Sequence, residues 1–557
     1  MRLKLLALIY LSVSAVNFSC KTISRRSSLS ENATPERADA INSRIVAALD
    51  KKYPREKGSV WSSGTMILND DFIVQSPNAL WGADAKDLSP ALDCLPSSAG
   101  TRCDRKFLRL SCESDNECPT STHCTGLEAA VTKLGDTPPN MCLGPSDHLL
   151  NRFYRVMVSA ESELDITSLS MFDGRFRTAV LNALTVLTQK QNPPLVRMLF
   201  SGANASKANI FNTPTWYRDD LEKSFRANLK DSNFSESDAD KIKITLAWLS
   251  NESLWSVFTN PFGDTVSWNH SKVIVADGKR ALSGGHNMWD ADYLRINPIF
   301  DTTLEYGGQA AADSRNFLNR LWSLKQVKWA GYPSSVRSLF APFSKQPDYN
   351  ERGNVKSISV GRLGVFGANV SDDAIIELIN SAENTVYIIQ QDLYNQIVSR
   401  PTATFALNAI VEAAFRGVSI TIVQSNKFPI GGYGAVAPND TYRAVLEAAV
   451  NKFRSHGMTE SDAKSKACRV IIYAPFRFSS SLSSWPNAKN APIGSHTKLV
   501  MADDSAFYIG SHNLYKANLQ EFGNIVTDAG AASRFKYEYW DKVWEESKAS
   551  TLACPYR

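Results

Sequence analysis

His270-Ser271-Lys272-Val273-Ile274-Val275-Ala276-Asp277 and His496-Thr497-Lys498-Leu499-Val500-Met501-Ala502-Asp503 are two copies of one string, 226 residues apart (496 − 270). A glycine-containing return follows each copy: Gly284-Gly285-His286-Asn287 after the first and Gly510-Ser511-His512-Asn513 after the second. The histidine-to-asparagine spacing is therefore 17 in both (287 − 270 and 513 − 496). The whole chain has only 7 histidines. Random placement of Lys at +2 and Asp at +7 from one of them yields about 0.02 hits in such a chain, and a second hit is about a hundredfold rarer. The two strings therefore mark an internal duplication.

The local pattern gives each string a shape. Residues i and i+2 of an extended segment project to one face, so His270 and Lys272 point into one space and Ser271 away from it. Asp277-Gly278 is a turn dipeptide, and Arg280 to Ser283 can return as the hairpin partner, bringing Asn287 back beside the histidine. Working outward, Leu149–Ala160 reads as a helix ending in Ser159-Ala160-Glu161, followed by a strand near Asp165–Leu169. Asp373–Ala382 repeats this with Ser381-Ala382-Glu383, followed by Val386–Ile389. A second helix comes next in each half, near Arg177–Leu187 and Thr404–Phe415, and then a buried strand, Leu195–Phe200 and Ser419–Gln424. Strands alternating with helices predict α/β layers on a largely parallel sheet. The expected architecture is two duplicated α/β domains about a pseudo-twofold axis with one shared active site, one at 148–340 and the other at 356–557.

Each half offers an imidazole, an ammonium and an amide to one pocket. That set suits a phosphate: a nucleophile or acid, a point charge and a neutral donor. One histidine cannot both attack phosphorus and protonate the oxygen departing in line on the far side, whereas two histidines from opposite halves can.

The paired HxKxxxxD strings resemble those of the phospholipase D superfamily. Trp268-Asn269-His270-Ser271-Lys272, Asp503-Asp504-Ser505-Ala506-Phe507-Tyr508-Ile509-Gly510-Ser511, Gln390-Gln391-Asp392-Leu393 and Leu519-Gln520-Glu521-Phe522-Gly523 are further similar to secreted bacterial phospholipases D. The resemblance runs from about Trp61 to the C-terminus, interrupted by a cysteine-rich stretch. It implies His270 as the nucleophile forming a phosphohistidine, and His496 as the general acid and base. It implies Lys272, Lys498, Asn287 and Asn513 as phosphate-binding residues. It also implies carboxylates that orient the imidazoles: Asp301 at the first such position, and Glu521 where these relatives usually carry Asp, expected to serve His496. Asp277 and Asp503 are expected to lock the hairpin turns. No metal or other cofactor is expected, because the strings lack the carboxylate cluster of a two-metal site.

The rest of the chain bounds the setting. Of 557 residues, 43% are apolar and 21% charged, an ordinary globular composition, and 61 basic against 56 acidic residues leave +5. So small an excess argues against a nucleic-acid partner. The resemblance implies a glycerophospholipid at a membrane or micelle surface as the substrate, and the protein is expected to be a monomer. Arg2 and Lys4 precede an apolar run, Leu5–Val16, too short to span a bilayer, and no later run is long enough. Residues 1–20 therefore read as a signal peptide and the protein as secreted or periplasmic. Val13-Ser14-Ala15 suits an ordinary cut, while Asn17-Phe18-Ser19-Cys20 is a degenerate lipobox offering a lipoprotein anchor at Cys20. Residues 21–40 read as a flexible linker and 41–147 as an N-terminal segment with a disulfide-rich insertion at about 94–142.

Six cysteines (Cys94, Cys103, Cys112, Cys118, Cys124 and Cys142) lie in that insertion; six allow 15 connectivities, and Cys468 is expected to pair with Cys554. A zinc knuckle from Cys118, His123 and Cys124 is the rival reading. His286 and His512 read as pocket walls, and His123, His148 and His456 as surface or structural residues. Phe428–Gly434 reads either as a lip that meets lipid or as an ordinary loop. Phe476, Phe478 and Trp485 read either as an acyl-chain entrance or as core. The functions in competition are a phospholipase D, a nuclease of the same superfamily, a cardiolipin-synthase-like transferase, and a binding protein with a decayed site.

Overall fold

The computed structural model describes residues 33–88, 111–118, 122–201, 214–249, 267–295, 297–329, 352–394, 404–430 and 433–556. The expected signal peptide with Cys20, most of the expected linker, Cys94, Cys103 and Gly431-Gly432 lie outside them.

The strands run in chain order β1 (Trp61–Met66), β2 (Ile73–Ser76), β3 (His123–Gly126) and β4 (Asn140–Leu143). The first half supplies β5 (Glu163–Ser168), β6 (Leu195–Phe200), β7 (Lys243–Leu249), β8 (Val273–Ala276), β9 (Arg280–Gly284), β10 (Asp301–Gly307) and β11 (Val327–Trp329). The second supplies β12 (Val355–Arg362), β13 (Thr385–Gln390), β14 (Ser419–Gln424), β15 (Ile471–Pro475) and the short β16 (Ser484–Trp485) and β17 (Ala491–Pro492). It ends with β18 (Leu499–Ala502), β19 (Ala506–Gly510) and β20 (Glu521–Val526).

Among the described residues sixteen of these form two eight-stranded sheets, ordered β11-β7-β6-β5-β8-β9-β10-β2 and β1-β12-β20-β19-β18-β13-β14-β15, while β3 pairs with β4 and β16 with β17 in two small ribbons. Reversing the second superimposes β7-β6-β5-β8-β9-β10 on β15-β14-β13-β18-β19-β20, so the duplication extends to strand order. In each sheet three strands are parallel and the first strand of the motif hairpin joins them antiparallel. The remaining pairs are antiparallel too, so the sheets are mixed rather than largely parallel as the strand–helix alternation predicts. Most of the parallel strands are nearly continuous apolar runs, as burial on both faces requires; β5 is the exception, with Asp165, Thr167 and Ser168 buried in it. Helix Gln309–Trp322 lies between the sheets, where Phe317 stacks on Phe522 with ring centroids 4.9 Å apart. A Cβ at Gly361 would stand 2.3 Å from the Phe317 ring, so the close approach of β12 to this helix depends on glycine.

The N-terminal segment threads through both halves. β1 adds to the second-half sheet beside β12, whereas β2 adds to the first-half sheet beside β10. The linker expected to reach residue 40 stops earlier. Helix Pro35–Lys52 starts there because Thr34 accepts the Arg37 N–H as N-cap, Pro35 opens the first turn and Glu36 follows at the positive end. Its charges clasp the second half, through Arg44–Glu377 at 3.0 Å and Lys52–Asp373 at 2.6 Å.

Disulfides join Cys112 to Cys124, Cys118 to Cys142, and Cys468 to Cys554. The last is the expected pair. The zinc reading is corrected, because Cys118 and Cys124 are both spent in disulfides and the His123 side chain is 72% exposed. The insertion has little core of its own, so reduction is expected to release it first. Hydrogen exchange in reductant should rise in 122–143 before it rises in β5 or β13; simultaneous loss would show that the bridges do not hold the insertion.

Phe476, Phe478 and Trp485 are core rather than an entrance. They are 0%, 0% and 1% exposed and stack around Phe300.

Candidate functional site

Both motif hairpins form as expected: β8 returns as β9 and β18 as β19. The ladder begins only at Val273, however, so His270 and Lys272 lie just ahead of the strand rather than on it. The reason is long-range. The His270 N–H donates to the Gln520 carbonyl of the other half at 2.8 Å, and the His496 N–H donates to the Phe300 carbonyl at 2.7 Å. Each histidine is thereby tied to the residue that precedes the other half's carboxylate.

This backbone exchange corrects the expected pairing of acids and imidazoles. Glu521 does not serve His496; its Oε2 lies 3.0 Å from His270 Nδ1. His496 Nδ1 lies 2.8 Å from Asp301 Oδ2. Each half supplies the carboxylate for the other half's histidine. The extra methylene of Glu521 reaches without difficulty, and its other oxygen accepts from Arg362 Nη2 at 3.0 Å. Fixing Nδ1–H on a carboxylate leaves Nε2 as the free lone pair of a neutral ring. The two imidazoles face each other across the half-to-half boundary, with ring centroids 6.5 Å apart and planes at 76°.

Lys272 and Lys498 flank the rings, and each ammonium donates to the carbonyl of its own motif histidine. Asn287 Nδ2 donates to the Tyr433 hydroxyl at 3.2 Å and Asn513 Nδ2 to the Tyr515 hydroxyl at 2.8 Å. The Oδ1 atoms of both asparagines are buried without a hydrogen bond. The structure thus gathers His270, His496, Lys272, Lys498, Asn287, Asn513, Asp301 and Glu521 into one buried constellation.

Its electrostatics are those of a site built for an anion. Burial, assisted by Lys272 and Lys498, lowers His270 to about 4 against the pull of Glu521. Burial also lowers Lys272 to about 8 and pushes Lys498 and His496 well below their usual values. Burial would raise Glu521, but the His270 imidazole and Arg362 outweigh it and hold the carboxyl well below the usual range. A phosphodiester monoanion between the two ammoniums relieves their desolvation and lets one imidazole keep a proton.

Asp277 and Asp503 stand outside this set. Asp277 accepts from the N–H groups of Glu161, Ser162 and Glu163, and Asp503 from those of Glu383, Asn384 and Thr385. Each fastens its hairpin turn to the start of the neighbouring strand, β5 or β13, which explains why the Ser-Ala-Glu segments repeat along with the motif.

His286 bridges Ser76 and Thr303 in the wall, at 2.8 Å to each, and His512 bonds Tyr508. His148 is structural, bonded to the Gln75 carbonyl, and His456 lies at the surface.

Several residues at the centre escaped the sequence reading. The Tyr293 hydroxyl donates to Asp301 Oδ2 at 2.9 Å. Tyr433 crosses from the second half, donating to Asp292 Oδ2 at 2.8 Å while its ring stands edge-on to His496 at 4.7 Å. Phe428, in the same segment, is 60% exposed beside Lys427. The glycines before Tyr433 and the Asp-Ala-Asp-Tyr run after Trp289 were the available signals; Arg362 carried none.

Comparison with known proteins finds relatives for most of the chain. Residues 375–544 match the family described as cardiolipin synthase, PLD-like domain. A Phospholipase D of Streptomyces antibioticus is 30% identical over 473 residues, covering 73% of this chain and 79% of the relative. Among solved structures, phosphatidylserine synthase of Haemophilus influenzae aligns at 14% identity with a TM-score of 0.49, covering 73% of this chain and 85% of that one. Nuc of Salmonella typhimurium aligns at 17% identity with a TM-score of 0.21, covering 34% of this chain and 96% of that one. A likeness of this extent to a named relative shows the family: the chain belongs to the phospholipase D superfamily.

Proposed function

We propose that the protein is an exported phospholipase D that hydrolyses a glycerophospholipid such as phosphatidylcholine to phosphatidic acid and the free head group. The observation that carries the reading is the pair of facing imidazoles, each held through Nδ1 by a carboxylate of the opposite half. His270 Nε2 attacks phosphorus and the bond to the head-group oxygen breaks. The proton on His496 passes to that oxygen, and a phosphatidyl-histidine remains. His496 then takes a proton from water, the oxygen attacks phosphorus, and the P–N bond breaks to restore His270. Lys272 and Lys498 balance the phosphate charge throughout, with Asn287 and Asn513 beside them. The disulfides and the apolar N-terminal run support export. No helix among the described residues is long and apolar enough to cross a membrane. The exposed Phe428 beside Lys427 is a fitting element to touch a lipid surface.

The covalent intermediate makes a specific demand. Water has no privileged claim on the second step, so ethanol should divert product from phosphatidic acid to phosphatidylethanol in proportion to its concentration, with net retention at phosphorus. The test presents phosphatidylcholine vesicles with ethanol, and single-stranded DNA in parallel. Phosphatidic acid without phosphatidylethanol, together with inversion, would end the two-step mechanism. Cleavage of DNA but not lipid would replace the substrate assignment with a nuclease.

A further inference from the structure

The two halves repeat each other closely enough that a departure between them can be read position by position. β2 runs antiparallel to β10 with Ser76 opposite Asp301, and β12 runs antiparallel to β20 with Arg362 opposite Glu521. Asp301 and Glu521 are equivalent residues, and Ser76 and Arg362 are their equivalent neighbours. Behind His270, the carboxylate of Glu521 therefore has a guanidinium at its side. Arg362 is 0% exposed and donates to Glu521 at 3.0 Å, to Asp372 at 3.0 Å and to the Leu519 carbonyl at 3.2 Å. Behind His496, Asp301 takes further hydrogen bonds from neutral donors, the Tyr293 hydroxyl at 2.9 Å and the Thr302 N–H at 2.8 Å. Ser76, in the place of the arginine, turns its hydroxyl to His286.

Lys272 and Lys498 both interact with Asp301 and with Glu521, and Lys498 has Asp392 beside it as well. The other unequal part, and the one in direct hydrogen-bond contact with an orienting carboxylate, is the charge behind each ring. Glu521 is compensated by Arg362, whereas Asp301 has no guanidinium at the equivalent position. Asp372 lies on the far side of Arg362, on helix Val370–Ser381, with its side chain 21% exposed, so its field at His270 is the weaker one. A single proton distributed between two matched imidazoles settles on the ring backed by the less compensated carboxylate. Burial and the two lysines by themselves push His496 well below its usual value and His270 to about 4. This order therefore belongs to the diester-bound site, where the anion offsets the lysines: there that ring is His496, which leaves His270 neutral with its Nε2 lone pair available.

We propose that Arg362 is the positioning residue that makes His270 the nucleophile and His496 the acid in an otherwise symmetric pair; this rests on the phosphohistidine reading above. The groups facing Arg362 are Glu521 on β20, Asp372, Tyr508 on β19, His512 and Tyr515. Those facing His270 are Glu521, Lys272, Lys498, His496 and His512.

The test is the pH dependence of kcat/KM on bis(p-nitrophenyl) phosphate, which reports only the first, irreversible step; its leaving group departs without an acid, so the acid limb is set by His270. Arg362→Gln is expected to move that limb up by about one pH unit, with KM changed less than about twofold. Arg362→Lys keeps the charge but not the forked hydrogen bonds, so its melting temperature should fall as that of Arg362→Gln does while its acid limb stays with the wild type. An unmoved limb in Arg362→Gln, or the same upward shift in both variants, overturns the proposal. If Arg362→Gln does not fold, nitrogen NMR of the wild-type imidazoles in saturating inorganic phosphate decides. His496 should hold its proton to a higher pH than His270, and the reverse order overturns the proposal. Failure of the underlying reading shows separately, as a wild type that neither turns over the diester nor carries phosphate on an imidazole.

Discussion

Replacing His270 or His496 by alanine is expected to lower lipid turnover by about 10⁴-fold or more in either case, because nucleophile and acid act as one unit and the loss of one strands the other. The two variants should nevertheless differ in what they accumulate. With a substrate whose leaving group needs no protonation, His496→Ala retains the attacking imidazole and should build up label on the protein from the phosphatidyl side. His270→Ala should acquire none. The crossed hydrogen bonds extend the expectation to the carboxylates. Glu521→Gln weakens the support behind His270 and should slow label formation, whereas Asp301→Asn weakens that behind His496 and should prolong the label's lifetime. Rapid quench with denatured-protein counting checks all four. Label on His270→Ala would exchange the assigned roles, and the opposite behaviour of the two carboxylate variants would contradict the crossing.

Loss of Asp503 is expected to act on the fold rather than the chemistry. Its carboxylate is fully buried and accepts three backbone N–H groups, from Glu383, Asn384 and Thr385, together with Arg37 Nε at 2.7 Å. Alanine leaves those donors without an acceptor in a closed interior and puts a Cβ-bearing residue without compensation at φ 49°. Destabilisation of about 3–5 kcal/mol follows. Asp277→Ala should cost a similar amount, since Asp277 binds the N–H groups of Glu161, Ser162 and Glu163 at φ 52°. Asparagine at either position keeps an acceptor and tolerates positive φ, so it should lose about half as much. Urea unfolding measures the difference. An alanine variant that loses activity with an unchanged midpoint would instead put the aspartate in contact with substrate.

Much of the architecture is local and was therefore legible in the sequence. β6 and β14 coincide with the expected strands Leu195–Phe200 and Ser419–Gln424, because a short apolar run between a helix and a turn has few other ways to hide both its faces. The motif hairpins follow from turn residues at a constant offset from each histidine, and that same constancy exposed the duplication. The Cys468–Cys554 bridge followed from counting alone.

Other features were decided by contacts between residues hundreds of positions apart. Periodicity says which face of a strand is buried, not which half of the molecule buries it. The sequence places Asp301 and Glu521 at equivalent points after their motifs and so suggests that each serves a particular histidine, but only the parallel bridges Asn269–Gln520 and Phe300–Ser495 carry each carboxylate to the opposite ring. β1 and β2 are neighbours in sequence yet join different sheets: β2 completes the edge beside β10, which carries Asp301, whereas β1 adds outside β12, one strand removed from the Glu521 strand β20. Tyr433 lies in what reads as a loop and reaches the first half's Asp292 only once the halves are apposed. Arg362 looks like a surface charge at the end of an apolar strand; it is buried because the equivalent of Asp301 stands opposite it. The sequence determined which groups of each half could meet a phosphate. The apposition of the halves determined which group each one meets, since pairing across a pseudo-twofold interface depends on the packing of two sheets and leaves no period in either.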